Sequence, residues 1–181
     1  KVYGSMLANV AYVYSIAVAE ATQILLGYMI GARKLDEVNG RVWSTIRIAL
    51  VVSELLTLTI LIFCDPIYNI FTADPVIHAL GRQILYVEFA LEVGRSINIV
   101  MVRCLTTAGD VWYPVGVGIF SMWLVSVGGS WLFGSALGGG LIGIWIAMAC
   151  DECLRGLLFT IRFQRGKWKE KRLVSGLPKQ D

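Results

Sequence analysis

The sequence predicts an all-α integral membrane protein with five transmembrane helices, and three observations predict it. Of 181 residues, 56% are hydrophobic, and the mean hydropathy is +0.67. Charged residues make up only 16%, against about 25% in ordinary soluble domains. Apolar runs occur at 6–30, 43–64, 79–105, 112–134 and 140–163, each long enough to cross a ~30 Å hydrocarbon core at a rise of ~1.5 Å per residue. The shorter period-2 runs of a membrane β-barrel are not seen.

The first run, within residues 6–30, carries Glu20, Gln23 and a Gly27-x-x-x-Gly31 pair. Small residues at that spacing let helices approach closely. The run begins a few residues after Lys1, without a charged leader and cleavage site, so it reads as a span and not as a signal peptide. The chain reads as a fragment whose N-terminal part is absent. Residues 31–41 (GARKLDEVNGR) form a polar loop on this reading.

The second run holds Glu54 and ends at Asp65-Pro66, where proline biases its predecessor away from helix. Asp74-Pro75 is a start signal for the third run, with proline in the first turn. That run carries the most informative stretch, from Glu88 to the turn before Pro114. Glu88, Glu92 and Arg95 stand at i, i+4 and i+7, which places them on one helical face, and Asn98 continues the stripe. A charged side chain in mid-bilayer costs roughly 3 kcal/mol on insertion scales. Such a stripe persists where it faces a protein interior or a water-filled path.

Gly109-Asp110 turns the chain into the fourth run, and Gly138-Gly139-Gly140 into the fifth. The fifth carries Asp151, Glu152 and Arg155, with a Gly139-x-x-x-Gly143-x-x-x-Ala147 packing surface. Residues 1–163 thus form one transmembrane unit and residues 164–181 a basic tail. Basic residues concentrate in the first loop, at the turn near 109 and in the tail, so these face the cytoplasm by the positive-inside rule. Trp112, Trp168 and Tyr68 read as interfacial aromatics. The tail suits anionic lipid better than nucleic acid.

Six acids lie within spans: Glu20, Glu54, Glu88, Glu92, Asp151 and Glu152. Only Arg95 and Arg155 oppose them at depth, and i, i+3 or i, i+4 spacing lets each pair along its own helix. A negative excess in low dielectric attracts cations and favours protonated carboxyls. Both effects suit a proton- or sodium-coupled transporter of cations. The candidates for cation or substrate binding are Glu20, Gln23, Glu54, Glu88, Glu92, Arg95, Asn98, Asp151, Glu152 and Arg155. Cys150-x-x-Cys153 lies in an apolar helix without a second ligand pair, and His78 is the lone histidine. The cysteines read as packing residues, and no metal site or catalytic triad can be assembled. There is no phosphate-binding loop. The chain is read as no enzyme, with no cofactor.

Three stretches carry a family resemblance: ATQILLGYMIGARKLDEV, GRSINIVMVRCLTTAGDVWYPVGVGIFSMW and GLIGIWIAMACDECLRGLLFTIRFQRGKW. They resemble the second half of multidrug and toxic compound extrusion (MATE) transporters, and the last two stretches are similar to the NorM-like bacterial branch. The resemblance implies a twelve-helix, two-lobe transporter in the bacterial inner membrane. This chain would supply spans eight to twelve, most of the C-terminal lobe. It implies export of small organic cations or drugs in exchange for Na⁺ or H⁺, with membrane lipids and the missing N-terminal lobe as partners. The family's cation-binding aspartate on span ten falls at Arg95; Glu92, one turn earlier, is the substitute, with Na⁺ near it. Another family acid lies on span seven, outside this chain. Two alternatives stand beside this reading. A lipid-linked saccharide flippase of the broader superfamily favours a cationic cavity, whereas acids outnumber bases at depth here. The other is an integral-membrane enzyme or a non-transporting membrane scaffold, with no catalytic cluster to support an enzyme.

Overall fold

The computed structural model describes residues 2–32, 34–71, 74–166 and 168, with the side chains of 2–12, 15, 35, 70 and 71 left aside. The described residues form helices joined by short turns, with no β-strand among them. The order is α1 (Val2–Gly31), α2 (Leu35–Ile62), α3 (Cys64–Phe71), α4 (Pro75–Thr107), α5 (Trp112–Ser121) and α6 (Gly140–Gln164). Between α5 and α6 the helix continues through two π-helical segments, Met122–Val127 and Ser130–Ala136.

α4 is the central helix, packed against α1, α2 and α6. Its start follows from local chemistry. The Asp74 carboxylate accepts a hydrogen bond from the Val76 amide at 2.9 Å, and Pro75 occupies the first turn, where its missing N–H costs nothing. Its end is equally local. Gly109 adopts φ +85°, and the Asp110 amide donates back to the Leu105 carbonyl at 2.9 Å, closing the last turn around a left-handed glycine.

The connection between the first two long helices is shorter than the polar loop expected. α2 begins at Leu35, with Asp36 and Glu37 in its first turn and Lys34 3.6 Å from Glu37. Acids there complement the helix dipole, so polar residues read as loop are helical. The Asp65–Pro75 stretch also differs from the expected loop, because Cys64–Phe71 is helical. Pro66 falls in the first turn of α3, where proline is tolerated.

Two aromatics expected at membrane interfaces are buried. Tyr68 lies against Gly81, whose hydrogen leaves room for the ring: a Cβ there would stand 2.5 Å from a ring carbon. Trp168 stacks on Phe163 with ring centroids 5.1 Å apart, and its indole N–H donates to the Phe163 carbonyl. Trp112 is 85% exposed among the described residues. The basic tail from Lys169 to Asp181 lies outside the described residues, as do Lys1, Arg33 and Lys167.

The main core gathers Leu26, Val42, Ile46, Met101, Leu105 and Phe159, where α1, α2, α4 and α6 meet. Large apolar side chains also point outward: Ile24 and Tyr28 on α1, Val51 and Leu55 on α2, Trp123 and Trp131 on the π-helical segments. Apolar surface on that scale suits lipid and not water. Among the described residues, Asp36–Ile62 and Trp112–Ala136 are long and apolar enough to cross a membrane, and Ile16–Gly31 is a shorter apolar helix. α4 and α6 have the length, but they carry the buried charges.

The two glycine pairs fare differently. A Cβ on Gly143 would stand 2.3 Å from the Phe133 carbonyl oxygen, so Gly143 lets α6 touch the second π-helical segment. A Cβ on Gly31 would meet nothing within 4 Å, and Gly27 faces only Thr107 at 3.7 Å. Among the described residues no helix comes close enough at Gly27 or Gly31 to require glycine there, and both positions are exposed.

Candidate functional site

The polar stripe on α4 assembles as its spacing requires. The Arg95 guanidinium donates to Glu88 at 2.9 Å and to Glu92 at 2.8 Å, through the same nitrogen. Glu92 is 0% exposed and Glu88 3%. One arginine thus answers two buried carboxylates, and the trio is net negative when both are ionised. The second oxygen of Glu88 accepts the Trp145 indole N–H of α6 at 2.6 Å.

α2 closes the other side of the stripe. The Ser53 and Ser96 hydroxyls are 2.9 Å apart and both fully buried. The neighbouring Glu54 turns its carboxyl inward. Both of its oxygens are buried without a hydrogen-bond partner among the described residues, and it lies within electrostatic reach of Glu92. Sequence spacing had no means of showing this, because the two acids are on different helices.

Asn98 leaves the stripe and joins a second cluster on α6. Its amide donates to Glu152 at 2.6 Å. Arg155 donates to Asp151 at 2.6 Å and to Glu152 at 3.0 Å. Ser121, the last residue of α5, donates to the buried Asp151. This cluster also sets two carboxylates against one guanidinium.

Glu20 and Gln23 belong to neither cluster. Arg103 of α4 reaches the Gln23 side chain at 3.2 Å and Glu20 at 3.7 Å, on an open face where Glu20 is exposed. Unlike the buried pairs of Arg95 and Arg155, this contact lies on the surface of the described residues. Sequence reasoning also missed the pairing of Asp110 with Arg162. The Arg162 fork donates to both Asp110 oxygens at 2.7 and 3.2 Å, and its guanidinium lies 4.6 Å from the Tyr113 ring centre. Asp110 is 1% exposed. The signal, an acid after a helix-ending glycine, was read only as a turn.

All four cysteines are free thiols. Cys153 packs against Gly94, where a Cβ would stand 2.6 Å from the Cys153 backbone nitrogen. Among the described residues no group of three or more His, Cys, Asp or Glu side chains is arranged to hold a metal ion.

Long helices with apolar outward faces and charge gathered between them fit a helical membrane protein. The chain belongs to the MatE family of membrane transporters, whose family model matches residues 2–132. It is 33% identical over 171 residues to a Bacillus subtilis protein named uncharacterized transporter YisQ, covering 94% of this chain and 38% of that protein. It is 24% identical over 171 residues to a Thermotoga maritima protein named probable multidrug resistance protein NorM, covering 94% and 37%. It is 21% identical over 169 residues to the Bacillus subtilis protein of that same name, covering 92% and 37%. The chain therefore spans a little over a third of the length of these relatives.

Proposed function

We propose that this chain is most of the C-terminal lobe of a twelve-helix bacterial inner-membrane antiporter, exporting small organic cations or drugs in exchange for Na⁺ or H⁺. On this reading α1, α2, α4, α5 with its π-helical continuation, and α6 all span the bilayer. The observation that carries it is the sharing of one arginine by two buried carboxylates on α4, with a third carboxyl close by on α2. Glu88 and Glu92 share Arg95, and Glu54 lies near Glu92 without a partner among the described residues. Buried charge without full compensation is expensive, so such a site binds a proton or a cation to become neutral. Glu92, the most buried acid, is the coupling residue, with Na⁺ near it when Na⁺ is the coupling ion.

The names of the relatives support drug export. A saccharide-pyrophosphate flippase would need unpaired cations, whereas Arg95 and Arg155 already serve carboxylates. The test is efflux of a fluorescent organic cation from cells making the full-length protein, with Na⁺ and pH gradients varied separately. Efflux that follows either gradient supports the reading, and efflux indifferent to both rejects it.

A further inference from the structure

The α4–α6 seam holds an anomaly that the stripe around Glu92 does not explain. Asn98 is 94% buried, and while its amide nitrogen serves Glu152, its carbonyl oxygen has no hydrogen-bond partner among the described residues (relative exposure 6%). Arg155 serves Asp151 and Glu152 through its terminal nitrogen, and its Nε–H is buried without a partner among the described residues. Of the two orphans beside this carboxylate, the Asn98 carbonyl oxygen is an acceptor that a cation or a proton can answer, whereas the Arg155 N–H is a donor and is not answered by one. Each such group costs about 1–3 kcal/mol when left unmade, and polar orphans of that kind mark a place for something that the protein itself does not supply.

We propose that Glu152 and Asn98, with Arg155 as the neighbouring counter-charge, form a second site in this lobe for a small monovalent cation, a proton or Na⁺, separate from the Glu88–Glu92–Arg95 stripe. Charge sets the class of ligand. Asp151 and Glu152 are two acids against the one guanidinium of Arg155, so a single added positive charge makes the cluster neutral. The donor atoms agree, because amide and carboxylate oxygens suit hard cations. For the proton, the chemistry is a simple addition. The Glu152 carboxylate takes H⁺ to become a carboxylic acid, the Asn98 amide turns over, and the new O–H donates to the amide carbonyl. In the ionised state the amide N–H donates to the carboxylate instead. The asparagine thus has a hydrogen bond for either state of the glutamate.

The groups around Glu152 come from three elements. α4 presents Asn98; α6 presents Asp151, Arg155 and the thiol of Cys153; α5 presents Ser121, bound to Asp151. Asp151 is committed on both oxygens, to Ser121 and Arg155. Glu152 is partly exposed among the described residues.

This site deepens the cation-exchange reading, but its test reads binding and not export. Infrared difference spectra between acid and neutral pH are recorded on the purified full-length protein, without and with Na⁺. We expect a carboxylic-acid carbonyl band that is lost in Glu152→Gln, kept in Glu92→Gln, and shifted without loss in Asn98→Ser. The Asn98→Ser variant keeps the glutamate, so it guards against a misfolded Glu152→Gln. If Na⁺ at fixed pH erases the band, the site exchanges a proton for Na⁺; if Na⁺ leaves it alone, the site is a proton site. A spectrum that neither Glu152→Gln nor Asn98→Ser alters, under any of these conditions, overturns the proposal. Failure of ion-driven efflux with the band intact would reject the antiporter reading and leave this site standing.

Discussion

The Ser53 hydroxyl lies 2.9 Å from the Ser96 hydroxyl, and this buried contact pins α2 to α4 one residue away from Glu54. The pin brings an acid without a partner among the described residues toward Glu92. A buried carboxyl in that position weakens the fold unless something neutralises it.

Glu54→Gln should therefore leave stability unchanged or raise it, by up to about 1–3 kcal/mol if the ionised carboxyl is the unsatisfied form. Thermal unfolding of the full-length protein in detergent checks this. A clear fall in the melting temperature would mean that a residue beyond this chain serves Glu54.

Asp110 and Arg162 should behave in the opposite way. Their two-point contact joins the turn after α4 to the end of α6. Removing one partner of a fully buried pair typically costs ~3–5 kcal/mol; here Asp110 is buried but Arg162 is partly exposed, so the cost is smaller. Arg162→Leu alone should sharply lower the folded, membrane-inserted fraction, while adding Asp110→Asn should recover part of it. A double variant no better than the single one would place the effect in the Tyr113 stacking instead.

The glycines offer a contrast within one chain. Gly143→Ala must push α6 away from the Phe133 carbonyl, whereas Gly31→Ala enters open space. Overpacking of this kind costs about 1–3 kcal/mol. Gly143→Ala should lower the melting temperature by several degrees, and Gly31→Ala should leave it or raise it slightly. Equal effects would contradict the packing described.

The α4 stripe was legible from its i, i+4, i+7 spacing, because the helix period alone puts Glu88, Glu92 and Arg95 together. The start of α4 was legible too, since Asp74-Pro75 is a local signal. What the sequence could not reveal depends on neighbouring helices. Glu54 approaches Glu92, Asn98 turns to Glu152, and Arg103 reaches Glu20 only through tertiary packing. Tyr68 and Trp168 were misplaced for the same reason, because an aromatic near a span end looks alike whether it meets lipid or folds inward.

Asp65 gives a pH expectation at the far end of α4. The hydrogen bond from Arg82 holds its carboxyl below the usual range, against a smaller opposing effect of desolvation. A depressed carboxylate contributes stability above its unfolded pKa, ~3.9, and loses it as pH falls through the lower folded value. The tie between α3 and α4 should thus hold unchanged from pH 8 to pH 5 and loosen only in stronger acid. Hydrogen exchange of the α3 amides, corrected for intrinsic rates, should show no loosening across that range, and loosening near pH 6 would contradict the pairing.

The account stands or falls on Glu92. It is fully buried, bound to Arg95 and electrostatically coupled to Glu54, and Glu92→Gln keeps its shape while removing its ability to release a proton. The direct measurement is the initial rate of gradient-driven organic-cation efflux by the full-length protein, normalised to protein in the membrane. Glu92→Gln should abolish efflux at near-normal membrane levels, with a smaller loss in Glu54→Gln. Full activity in Glu92→Gln would remove Glu92 from the mechanism and contradict the account.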